Sequence, residues 1–262
     1  MSNNIIPPSL QKKNSENADS GMTLCKLCGG IGWIIDENNN ATSCKCRKEQ
    51  ILNNRIQFAK IPEAFKDIRL DTFSLKYYRD KDTISSVVKM VKYYLDHLDE
   101  MISEGVGLYL YSSTKGSGKT RLATSLANEL MYKHDMSVRF ATSLDIISAI
   151  KATWEQSEET TTESKLINAL TTVEVLVIDD FGTETHKDWI DDKFYQIINR
   201  RYIDNLITIF TSNYQLDELE YDDRIVNRIK ERVYQVKFPE ESVRDGIAAT
   251  RQQKMIKEIQ NG

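Results

Sequence analysis

The chain is predicted to fold as an α/β domain, a parallel sheet flanked by helices, behind a small cysteine-based module. Three observations predict it. Short apolar runs alternate with stretches of helical periodicity from about residue 105 onward. A glycine-containing loop ending in Gly118-Lys119-Thr120 stands between one such run and one such stretch. All four cysteines fall between positions 25 and 46. Strands that alternate with helices form parallel sheets covered on both faces.

Each element follows from its residues. The polar start, MSNNIIPPSLQKKNSENADS, is rich in Asn, Ser and Lys with Pro7 and Pro8, and is expected to be disordered. It lacks the apolar centre of a secretory signal, which makes the cytoplasm the expected location. No stretch approaches the roughly 20 apolar residues that span a bilayer, so no membrane partner is expected. Residues 49–60 have a short helical rhythm through Ile51, Ile56 and Phe58. Pro62 then breaks the chain, and IPEAFKDIRLDTFS reads as a linker that docks on the α/β domain. Buried strands are expected at 105–112, 137–143, 173–180 and 206–213, with a fifth at 234–238. Between them, Leu122, Ala123, Leu126, Ala127 and Leu130 mark one amphipathic helix, and 189–204 another. Ser143 is expected to cap a helix with Leu144, Ile147, Ile150 and Trp154 on one face.

The net charge of −4 does not advertise nucleic-acid binding. Residues 25–60 are locally basic, which suits a solvated face as well as a phosphate contact.

The clearest chemistry lies at Ser113–Thr120. The P-loop pattern G-x-x-x-x-G-K-[ST] is met except at its first position, where Ser113 replaces Gly. Gly116 and Gly118 let Lys115, Gly116, Ser117 and Gly118 turn their amides toward phosphate oxygens. The helix that starts there adds its positive end. Lys119 is expected to reach the β and γ phosphates of ATP, and Thr120 to offer its hydroxyl to Mg²⁺. The apolar strand Val175–Ile178 delivers Asp179 and Asp180 to the ligand edge of a parallel sheet. Asp179 is expected to hold Mg²⁺, and Asp180 to polarise the attacking water.

Cys25-x-x-Cys28, fifteen residues and Cys44-x-Cys46 supply four thiolates, enough for a closed tetrahedral Zn²⁺ site. The intervening residues suit a hairpin turning at 38–40. Trp33, with Ile31, Ile34 and Ile35, is expected to form that module's own core, a contact surface being the alternative. His97, His134 and His186 are scattered, and none reads as a ligand.

Later motifs narrow the family. Asn213, ending the strand ITIFTSN, resembles the sensor-1 polar residue of AAA+ ATPases. IDDFGTE (178–184) and DDRIVNRIKERVYQVKFPEESVRD (222–245) resemble bacterial helicase loaders of the DnaC/DnaI type and their IstB relatives. The likeness covers roughly residues 60–250, and CKLCGGIGW…CKCR is similar to the front of DnaI-type and phage loaders. It implies an AAA+ fold with a short C-terminal helical lid. Arg228 matches the arginine finger, which reaches into a neighbouring subunit, although Arg224 stands as the alternative. Arg244 matches the sensor-2 arginine of the lid. The organisation implied is a disordered 1–20, a zinc-binding helicase-interaction module over 21–60, a linker over 61–80 and an AAA+ ATPase over 81–262. The function implied is ATP-dependent loading of a DnaB-type replicative helicase onto single-stranded DNA by a nucleotide-dependent homo-oligomer. An IstB-like transposition helper is the alternative. A zinc-containing P-loop kinase fits less well, because such an enzyme usually places its zinc in a lid after the P-loop.

Overall fold

The computed structural model describes residues 25–36, 39–154, 159–185 and 187–261. The stretch 1–20 expected to be disordered, and His186, lie outside them. The chain divides into two units, Met1–Ile51 and Leu52–Gly262.

In the first unit, strands β1 (Trp33–Ile35) and β2 (Ala41–Ser43) pair antiparallel, Trp33 opposite Ser43. The turn is closed by Asp36 N donating to Asn40 O at 3.0 Å and Asn40 N donating to Asp36 Oδ1 at 2.8 Å. Asn39 takes the left-handed conformation there, at φ 64°, which Asn tolerates better than most residues. Helix α1 (Cys46–Ala59) follows, and the division between units falls within it. The expectation of a Trp33 core is corrected. Trp33 is 39% exposed, and Ile31, Ile34 and Ile35 are exposed too. The hairpin is too short to fold over them. Trp33 instead carries the Arg47 guanidinium on its ring, 3.7 Å from the centroid.

The second unit carries the sheet. After two 3₁₀ turns (Glu63–Phe65 and Leu70–Thr72) come α2 (Lys81–Asp96), α3 (Leu98–Glu104), β3 (Gly107–Tyr111), α4 (Lys119–Lys133), β4 (Val138–Thr142) and α5 (Ser143–Trp154). Then follow α6 (Glu159–Thr171), β5 (Val175–Phe181), α7 (Asp188–Ile203), β6 (Ile207–Ser212), α8 (Asp223–Glu231), β7 (Val233–Lys237) and α9 (Val243–Asn261). The strand order is β4-β5-β6-β3-β7, with every neighbouring pair parallel.

Period-two alternation splits the strands between two cores. Leu108, Leu110, Val175, Val177, Ile207 and Ile209 face the apolar sides of α2, α3 and α4. Tyr109, Leu176, Ile178 and Phe210 face α5, α6, α7 and α8. Segment 61–80 packs onto the first core through buried Ile61 and Tyr78. Asn128 on α4 holds it by donating to Phe65 O and Ile68 O, both at 2.9 Å.

Two expectations about α5 are corrected. Its cap is Thr142, not Ser143: Asp145 N donates to Thr142 Oγ1 at 3.0 Å and Thr142 N to Asp145 Oδ2 at 3.3 Å. Asp145 supplies the reciprocal acceptor that a capping box needs. Ser143 Oγ instead donates to Asp180 O at 3.0 Å. The buried face runs through Ile146, Ile147 and Ile150, so Leu144 (53% exposed) and Trp154 (44%) point outward.

Gly107 starts the strand that lies between β6 and β7. A Cβ there would stand 1.8 Å from Thr208 O, and strands on both sides leave the backbone no room to retreat. Gly107→Ala is expected to cost about 3 kcal/mol of unfolding free energy, read as a lower urea midpoint at unchanged slope. A loss below about 1 kcal/mol would show that the sheet opens there.

Candidate nucleotide site and cysteine cluster

The loop between β3 and α4 sits at the carboxyl edge of the sheet. Gly116 (φ 81°) and Gly118 (φ 100°) are both left-handed, the geometry that turns successive amides to one side. A Cβ on Gly118 would meet Tyr78 Oη at 2.3 Å, and Tyr78 Oη donates to Ser117 O at 2.7 Å. Segment 61–80 thus braces the loop from behind.

Lys119 is 5% exposed. Its Nζ donates to Ser112 O (3.1 Å), Thr114 O (3.2 Å), Ser117 Oγ (3.3 Å) and Asn213 Oδ1 (3.1 Å). Burial lowers its pKa, and the Asp180, Glu240 and Asp179 carboxylates work against that shift. Asn213 follows β6, the strand beside β3, so sheet order alone brings it to the lysine.

Asp179 and Asp180 are neighbours in sequence with different surroundings. Asp179 is 5% exposed and accepts from Thr211 Oγ1 at 2.6 Å. Burial pushes its carboxyl up, while hydrogen bonds from Thr211 and Thr120 hold it down in part. Thr120 and Asp179 are therefore side by side, as a shared magnesium ion requires. At Asp180 the β5–β6 register shifts and the backbone goes left-handed, φ 54°. That irregularity turns the Asp180 side chain outward. Its amide is fixed by Thr211 Oγ1 at 3.0 Å, so one threonine orders both acids.

A cavity of about 540 Å³ joins these groups, a size that suits a small-molecule ligand. Lys115 to Thr120, Asp179, Asp180, Asn213 and Arg244 all line it. Arg244 lies over Gly116, where a Cβ would meet its Cδ at 3.2 Å. Arg224 and Arg228 do not line this cavity. Arg228 is held on α8, donating through Nε to Asn199 Oδ1 at 2.6 Å and lying 5.3 Å from the Tyr195 ring.

The matching family model is that of IstB-like ATP-binding proteins, over residues 38–245. The chain belongs to this family. Among its relatives, the replicative helicase loader DnaC of Escherichia coli K12 is 29% identical over 55% of this chain and 57% of its own length. The replicative helicase loader DnaI of Bacillus subtilis is 33% identical over 45% of this chain and 36% of its own length. The chain thus spans a little more than half of the DnaC it matches. A crystal structure of the DnaC helicase loader superposes with TM-score 0.57 at 22% identity, covering 68% of this chain and all of that one. One of DnaI superposes with TM-score 0.55 at 24% identity, covering 69% and 95%. The fold is of the AAA+ type.

This IstB-like protein uses residues that its motifs do not mark. Thr211 and Tyr78 are two, and Phe65, Val243 and Ile247 give the cavity an apolar wall. Only a threonine near a strand end, two positions before Asn213, could have pointed to Thr211. The match begins at residue 38, inside the cysteine module.

In that module the four Sγ atoms lie within 4.8 Å of one another and could hold one metal ion. Cys25 and Cys44 sulfurs are 3.7 Å apart, and those of Cys28 and Cys46 3.3 Å. The edge of a zinc–thiolate tetrahedron is about 3.8 Å, so the donor set fits. Gly32 N donates to Cys28 Sγ at 3.3 Å, the kind of amide contact that steadies a metal-bound thiolate. Among the described residues, no helix is long and apolar enough to cross a membrane.

Proposed function

We propose that this IstB-like protein is an ATPase that loads a DnaB-type replicative helicase onto single-stranded DNA. The carrying observation is a complete phosphate cavity in the second unit of a chain whose first unit bears exposed Leu27, Ile31, Trp33 and Ile35. Apolar side chains grouped on so small a unit are suited to a protein partner. The relatives named as helicase loaders support the helicase as that partner.

In this reading Lys119 and the amides of 115–120 take the phosphates, while Thr120 and Asp179 hold magnesium. Asp180 aligns the attacking water, Asn213 steadies it, and Arg244 contacts the nucleotide from the lid. Cys25, Cys28, Cys44 and Cys46 hold zinc. ATP binding keeps the engaged state and hydrolysis releases it.

Arg228 serves a neighbouring subunit. Its place outside its own chain's cavity supports this role, and Arg224 is the alternative. Arg228→Ala and Lys119→Ala are each expected to be inactive alone. Mixed together they are expected to regain part of the ATPase rate, because one supplies an intact pocket and the other an intact arginine. No recovery in the mixture would place Arg228 outside catalysis. ATPase measured with and without single-stranded DNA and a DnaB-type helicase tests the whole reading, stimulation by both being the expected result. The family's IstB name keeps one competitor, a transposition helper. Capture of a transposase instead of the helicase would favour it.

A further inference from the structure

The P-loop departs from its pattern at one position, and that position has a partner. Ser113 Oγ donates to Glu240 Oε2 at 2.7 Å. The same carboxylate accepts from Ser112 Oγ (3.0 Å), Thr114 Oγ1 (3.2 Å), Thr114 N (3.0 Å) and Ser113 N (3.3 Å). Glu240 is an exposed residue, yet its carboxylate is held by five donors of the loop. A negative charge beside a triphosphate cavity also opposes binding, so its presence needs a reason.

The residues on either side supply one. Upstream, Phe238 N donates to Tyr111 O at 2.8 Å, which starts the 239–242 turn beside the loop entrance. Next to Glu240, Glu241 accepts from Arg79 N at 2.9 Å and Asp80 N at 3.0 Å, just ahead of α2. Downstream, Val243 opens α9 and donates its amide to Gly116 O at 3.0 Å. Arg244 then lies over Gly116. One turn therefore binds the P-loop entrance, the start of α2 and the lid helix.

We propose that Glu240 is a positioning residue that docks α9 on the P-loop through Ser113 and so aims Arg244 into the nucleotide cavity. Ser113 replaces the usual glycine because the dock needs its hydroxyl. The dock also shapes the site from the other side of the loop. The carbonyls of Ser112 and Thr114 that hold Lys119 belong to residues whose other groups hold Glu240. Burial works against charge on Glu240, but the Ser113 and Ser112 hydroxyls and the Ser113 and Thr114 amides outweigh it and bring the carboxyl down to about 2. The acceptor thus stays ionised at neutral pH.

This inference rests on the nucleotide-site reading above, and one experiment separates the two. ATP affinity is measured for the full chain, Glu240→Gln, Arg244→Ala and the double variant, together with trypsin cleavage at Arg251 and Lys254 in α9. Glu240→Gln is expected to weaken ATP binding about tenfold and to abolish ATP-dependent protection of α9. In the Arg244→Ala background the same change is expected to add less than about twofold, since the side chain it aims is gone. Unchanged affinity in Glu240→Gln, or a full tenfold loss added to that of Arg244→Ala, overturns the proposal. Should Glu240→Gln fail to fold, Ser113→Gly enters the same cycle with the same expectation and the same refuting result. A parent chain that binds no ATP would instead refute the nucleotide-site reading.

Discussion

Lys119→Ala is expected to abolish measurable ATP binding, and Asp180→Asn to bind ATP while turning almost none of it over. The contrast follows from where each side chain sits. The Lys119 ammonium is buried among Ser112 O, Thr114 O, Ser117 Oγ and Asn213 Oδ1. It is also the cation that faces Asp179, Asp180 and Glu240. Without it, an incoming triphosphate meets three acids with no buried ammonium among them, Lys115 and Arg244 being the cations left in the cavity lining. Two lost charge-assisted hydrogen bonds alone correspond to at least about a 100-fold weaker Kd. Asp180 differs because its backbone is left-handed and its amide is pinned by Thr211. Asn tolerates that conformation, so the substitution removes the charge and leaves the loop intact. Loss of a general base costs about 10²–10⁴ in rate. Calorimetry reads the first effect and phosphate release the second. A Lys119→Ala Kd within tenfold of the parent would show that phosphate binds elsewhere.

Removing metal from the cysteine unit is expected to unfold that unit and leave ATP affinity unchanged. Among its described residues only Gly32 and Cys44 are buried. Its two strands have three residues each, and an isolated two-stranded hairpin is marginal in water. A structural zinc site contributes on the order of 10–16 kcal/mol at neutral pH, more than any other interaction such a unit can make. The nucleotide cavity is lined only by residues of the second unit, from Phe65 to Ile247. Cys28→Ser, or a strong chelator, should therefore collapse the dispersion of the Trp33 and Gly32 NMR signals while calorimetric ATP binding stays as before. Persistence of those signals in metal-free protein would mean that the fold does not need the ion.

Much of the sheet is legible in the sequence because buried parallel strands are continuous apolar runs, as in Val175–Ile178. The P-loop is legible because phosphate chemistry confines its residues to one short stretch. Helix α2 goes unread before the structure, although Ile84, Val87, Val91 and Tyr94 fall on one buried face behind an Asp80 cap. The α5 cap reads one residue late because Ser and Thr are both good caps, and only the partner carboxylate on Asp145 decides between them. Trp33 reads as core because large aromatics usually are, but so short a hairpin has nothing to fold over it. Glu240 and Thr211 are invisible for a different reason. Their partners lie 127 and 32 residues away in the chain, and strand order brings them together.

That strand order bears on how the protein is made. Ser112 leaves the ribosome 128 residues ahead of Glu240. At 5–20 residues per second, roughly 6–26 s pass before Glu240 can reach the loop that it holds. Until β6 and then β7 have followed it out, β3 lacks its eventual neighbours, and its open edges must be shielded from other nascent chains. A peptide that stops before β7 holds the entire phosphate motif but not the strand, turn and closing helix that finish its frame.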